Sequence, residues 1–134
     1  MHSTLSSNHI RSITASMTVV EKMIHDIESS LIDPFKGCFE SMEVDITDDL
    51  INKNKNLIEQ IKRKLSDFKS EYTLPTREIG VSQIILSRKS RCWEILQETF
   101  SDQLKGYGKF PEEIIESFDR KIQEMINIIE QLAV

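Results

Sequence analysis

Apolar residues recur three and four positions apart at both ends of this chain. Ile10, Ile13, Met17, Val20, Ile24, Ile27 and Leu31 form one such series, and Ile115, Phe118, Ile122, Met125, Ile129 and Leu132 form another. At about 100° per residue, each series lies on one stripe of an α-helix. Two more series lie between them: Leu50, Leu57, Ile61, Leu65, Phe68 and Tyr72, then Val81, Ile84, Ile85, Cys92, Ile95, Leu96, Phe100 and Leu104. With only 4 glycines and 3 prolines in 134 residues, the chain has little material for the turns of a many-stranded β fold.

The breaks between the stripes set the expected element bounds. Ser6, Ser7 and Asn8 can each cap a first helix, which Asp33-Pro34 ends, since proline disfavours helix at the residue before it. Pro34 to Ile46 reads as a loop with a helical turn, folded over one end of the core. Thr47 caps a second helix whose first turn holds Asp48 and Asp49, matching the positive end of the helix dipole. Pro75 suits the first turn of a third helix, in which Gly80 is a weak point and Trp93 lies beside the stripe, partly buried. Gly106 reads as a left-handed terminator, and Pro111 with Glu112 and Glu113 opens a fourth helix. The four helices are expected at about 8–32, 48–72, 76–105 and 111–132.

These elements predict an all-α fold, an up-down four-helix bundle formed as a single helical domain over 1–134, with residues 1–7 frayed. The alternative is a three-helix core, with the first helix pairing with a second molecule through its heptad seam.

The formal net charge of -5 works against a general role on nucleic acid or anionic lipid. Only the middle of the chain is basic, with 11 Lys+Arg against 9 Asp+Glu in residues 47–105. Cys38 and Cys92 belong to no metal-binding pair and read as reduced, half-buried thiols of a cytoplasmic protein. No apolar run is long enough to span a membrane, and the polar opening does not read as a signal peptide.

Paired catalytic or ligating sets are missing from the helical spacings. His9 and His25 lie sixteen residues apart, too far along one helix to share a metal, and no HExxH or Glu-x-x-His pattern occurs. Glu112, Glu113 and Glu116 read as dipole complements, and Asp45, Asp48 and Asp49 do not match a calcium loop. Gly106-Tyr107-Gly108 follows a helix and lacks the Lys-Ser/Thr of a phosphate loop. The expectation is a chain that is not an enzyme working alone and carries no metal or cofactor, although an enzyme subunit dependent on a partner remains a third reading.

Two functional classes remain. The first is a protein–protein interaction or regulatory module, with a homodimer as its simplest form. Val19 and Met23 flank the first stripe, and Ile114 and Ile128, with Ile126, widen the last, so these positions are candidates for self-association. The second is a bundle binding a small ligand or anion. Arg88 and Arg91 share one side of the third helix where its apolar stripe is interrupted, and with Trp93 they could meet an anion or an acidic partner. The bland reading of the same cations is a solvated belt.

Overall fold

A computed structural model describes residues 5–134. Among them the secondary structure is helical, α1 (Ser7–Ile32), α2 (Asp48–Glu71), α3 (Val81–Gln97) and α4 (Ile115–Glu130), with 3₁₀ segments at Ser101–Tyr107 and Glu112–Ile114. The fold is therefore all-α. The chain divides into two compact units, Met1–Thr76 and Arg77–Val134. Each is built on one helical hairpin: α1 packs on α2, and α3 packs on α4.

In the first unit, two hydroxyl caps set the helix starts. The Ser6 Oγ accepts the His9 N–H at 3.1 Å, and the Thr47 Oγ1 accepts the Leu50 N–H at 3.3 Å. The expected fraying therefore stops short of Leu5–Ser7, since Ser6 caps a helix that starts at Ser7, and the rest of that expectation lies outside the described residues. The connection after Pro34 has no helical turn. It is a tight turn with a bridge between Lys36 and Ser41, in which the Gly37 N–H donates to the Glu40 carbonyl at 2.9 Å. A Cβ on Gly37 would fall 2.7 Å from the exposed Phe35 ring, which would have to swing aside, and 3.0 Å from the Glu40 carbonyl. Phe35, Phe39, Met42 and Val44 are exposed instead of covering a core.

α2 ends in a Schellman motif. The Leu74 N–H reaches the Lys69 carbonyl at 3.0 Å and the Thr73 N–H reaches the Ser70 carbonyl at 3.3 Å. Thr73 takes the left-handed position, φ 52°, and Leu74 is buried behind it. Lys69 also donates to the Thr76 hydroxyl. This clasp holds Leu74 to Thr76 to the end of α2, so Pro75 opens no helix. α3 starts five residues later than expected, with Gly80 as its N-cap (φ -70°, ψ 146°).

The other end of α3 is also corrected. A continuous helix to about residue 105 was expected, but it stops at Gln97, and Phe100 is extended (ψ 149°). The cause is a distant carboxylate. Asp119 of α4 accepts the Ser101 N–H at 2.8 Å and the Ser101 hydroxyl at 2.7 Å, which fixes the start of the first 3₁₀ segment. Gly106 lies inside that segment, and the positive φ, 121°, belongs to Gly108. α4 proper begins at Ile115, after one 3₁₀ turn. Phe110 and Phe118 meet across this junction in a tilted pair, with ring centroids 4.9 Å apart and planes at 56°.

Candidate functional site: one uncovered face on each hairpin

The inward face of α2 and α3 is rotated from the expected stripe, and that of α4 keeps Ile115, Phe118, Ile122 and Ile129 but takes Ile126 in place of Met125. On α2 the buried residue is Ile58, with Ile51, Asn54, Leu65, Phe68 and Tyr72 half-buried beside it, whereas Leu50, Leu57 and Ile61 are exposed. On α3, Ile85, Lys89 and Leu96 turn inward, while Val81, Ile84, Cys92 and Ile95 stay exposed. On α4, Ile122 and Ile126 are buried, with Ile126 at 0% exposure, while Met125 is 45% exposed. The physical reason is common to all three. Apolar residues border the seam on one side, so three-and-four spacing is satisfied by two neighbouring stripes.

Polar contacts select the register. Lys62 stands at a seam position of α2 and donates to the Glu28 carboxylate of α1 at 2.7 Å. That hydrogen bond holds the ammonium above its usual range. The Lys89 Nζ donates to the Leu132 carbonyl at 2.8 Å, leaving its methylene stem along the α3–α4 seam. The Trp93 Nε1 donates to Glu130 at 3.2 Å. Cys38 and Cys92 are free, exposed thiols, not the half-buried ones expected.

The stripes left out of the seams share a side. Measured from the seam at about 100° per residue, the exposed residues of both helices in a hairpin lie on the same angular flank. In an antiparallel pair, equal flanks fall on one side of the hairpin. In the first unit this face joins Val19, Val20, Met23 and Ile27 of α1 to Leu50, Leu57 and Ile61 of α2. Its other positions on α1 are His9, Ser12, Ser16 and Ser30, so α1 presents no Asp, Glu, Lys or Arg there. In the second unit the face joins Val81, Ile84, Cys92 and Ile95 of α3 to Met125, Ile128 and Leu132 of α4.

The candidate self-association residues all lie on uncovered surface. Val19 and Met23, on α1, are 51% and 59% exposed, and Ile114 and Ile128, in the second unit, are also exposed. Ile126 leaves that group because it is the most deeply buried residue described. The candidate ligand residues are not brought to one place. Trp93 lines a shallow cleft of about 410 Å³ with Leu86, Lys89, Ser90, Glu94, Ile129 and Glu130. Arg88 and Arg91 do not line it; Arg91 pairs with Glu94 at 3.2 Å. The uncovered faces themselves were missed by stripe reading, although the excess of apolar residues beside each stripe signalled them.

No group of three His, Cys, Asp or Glu residues able to hold a metal occurs among the described residues, and no helix there is long and apolar enough to cross a membrane. Compared with protein families, with curated proteins and with solved structures, the chain matches none.

Proposed function

We propose that this protein is a protein–protein interaction module that self-associates through the apolar face of its α1–α2 hairpin. The observation that carries the reading is the one-sided exposure of Val19, Val20, Met23 and Ile27 beside Leu57 and Ile61. A helical hairpin is a single layer, and stable helical architectures bury such a face against a second layer. Each large aliphatic side chain left half uncovered forgoes about 1 kcal/mol of burial. The partner proposed for this face is a second copy. The α1 half of the face holds no Asp, Glu, Lys or Arg, so a two-fold contact that brings equal residues together there opposes no like-charged pair of these groups.

The α3–α4 face is a poorer candidate for self-contact. Arg88, Arg91 and Lys121 lie on or beside it, on both of its helices, and a two-fold contact would oppose these cations to their own copies, whereas the cations of the first face, Lys53 and Lys64, are confined to α2 and a contact centred on α1 avoids them. The two pairs of candidate residues therefore separate. Sedimentation equilibrium of the native chain is expected to give a dimer at tens of micromolar. The double substitution Val19→Glu, Met23→Glu is expected to give a monomer of unchanged helicity, and Ile114→Glu, Ile128→Glu to leave the dimer intact. A native chain that stays monomeric at several hundred micromolar would overturn the reading.

A further inference from the structure

The uncovered face of the α3–α4 hairpin differs from that of α1–α2 in its charge. Val81, Ile84 and Ile95 on α3, with Met125, Ile128 and Leu132 on α4, supply the apolar part. Arg88 stands on the same flank, between Ile84 and Ile95, Lys121 stands in line with Ile128 and Leu132 on α4, and Arg91 stands at the outer edge of α3. Glu94, Glu116, Asp119 and Glu130 lie towards the seam or beyond it on the other side, and the one acidic residue of α4 that borders the flank, Glu124, pairs with Arg120 at 4.0 Å. No ion pair among the described residues holds Arg88 or Lys121, and Arg91 has only the exposed Glu94 one turn along its own helix.

We infer that this face binds an amphipathic helix of an acidic partner protein. Two antiparallel helices leave a shallow groove between them, and a third helix laid in it presents residues at i, i+3, i+4 and i+7 to the apolar floor. The 17 residues of α3 give a floor long enough for about four turns of such a helix. Carboxylates on the flanks of the incoming helix would meet Arg88, Arg91 and Lys121, whose positive charge has little compensation in the free protein. Guanidinium groups suit such contacts, because their planar donors fit a carboxylate with two hydrogen bonds. An anionic membrane is the less favoured surface. Residues 77–134 carry 8 Lys+Arg against 10 Asp+Glu, and three cations fall short of the clusters that hold a protein on lipid. The inference concerns the second hairpin alone and does not depend on self-association through the first.

The test uses the full chain and three probes. One is a labelled 18-residue helical peptide with leucine at the i, i+3, i+4 and i+7 positions and glutamate elsewhere. The second replaces every glutamate by lysine, and the third is a phosphatidylserine vesicle. Fluorescence anisotropy is expected to show micromolar binding of the glutamate peptide, weakened at least fivefold by raising salt from 50 to 500 mM. The lysine peptide is expected to bind at least tenfold more weakly. Arg88→Glu with Arg91→Glu is expected to cost at least tenfold for the glutamate peptide, and Ile95→Ser to cost several-fold while helicity is unchanged. Equal binding of both peptides would overturn the acidic preference while leaving the α1–α2 self-association to be judged by sedimentation. Failure of the glutamate peptide to bind, or preferential binding of the vesicle, would overturn the inference outright.

Discussion

Replacing Ile126 by alanine removes three carbons from a side chain with no exposure at all. At about 0.8 kcal/mol per buried carbon, the transfer loss alone is about 2.4 kcal/mol. A helical hairpin relaxes only partly around the gap, so a cavity contribution brings the expected cost to about 3 kcal/mol. Met125→Ala removes as many heavy atoms from the neighbouring position, but that side chain is 45% exposed, and the expected cost is about 1 kcal/mol. Trp93 is the single tryptophan of the chain and hydrogen-bonds to Glu130 of α4, so its emission reports on the α3–α4 hairpin specifically. Urea titrations followed at Trp93 should show Ile126→Ala losing about 2 kcal/mol more than Met125→Ala, with similar slopes. Equal costs, or a larger cost at Met125, would refute the inward placement of Ile126 on which the uncovered face of the α3–α4 hairpin depends.

Three other substitutions address the contacts that set the ends and the interior of the elements. Asp119→Ala leaves the buried Ser101 without its carboxylate partner and is expected to destabilise the second hairpin by about 2 kcal/mol in the same Trp93 titration, while amides of the 3₁₀ segment 101–107 lose exchange protection. Thr73→Gly relieves a β-branched residue of its left-handed conformation and is expected to stabilise the α1–α2 hairpin by about 1 kcal/mol, read by urea unfolding at 222 nm. Thr14→Val removes a buried hydroxyl that has no hydrogen-bond partner and keeps its shape, so it is expected to raise the stability of the same hairpin by about 1 kcal/mol.

The parts legible from sequence are those decided by neighbouring residues. Ser6 and Thr47 cap where hydroxyl chemistry says they should, and Pro34 follows directly on the Asp33 cap of α1. The parts that were not legible depend on residues far away in the chain. The end of α3 is fixed by a carboxylate eighteen positions later, and nothing in the local sequence around Ser101 announces Asp119. Which stripe turns inward was hidden on α2 and α3, and on α4 the expected stripe held at Ile115, Phe118, Ile122 and Ile129 but not at Met125. Ile126 and Met125 are adjacent apolar residues, and only the packing of α4 on α3 decides between them. Lys62 and Lys89 deepen the ambiguity, since each occupies a seam position through its stem while its ammonium finds an oxygen on the opposite side. The candidate surface followed the same division. Val19 and Met23 were readable as surplus to the first stripe, whereas the separation of Arg88 and Arg91 from Trp93 required the orientation of α3.

The central claim is that the apolar face of α1–α2 meets its own copy. Isotope-filtered nuclear Overhauser spectra of a mixed sample, one copy methyl-labelled and the other unlabelled, read that contact directly. The account predicts intermolecular effects at the methyls of Val19, Val20, Met23 and Ile27, reaching Leu57 and Ile61. Intermolecular effects confined to Met125, Ile128 and Leu132, or none at a concentration of several hundred micromolar, would contradict it.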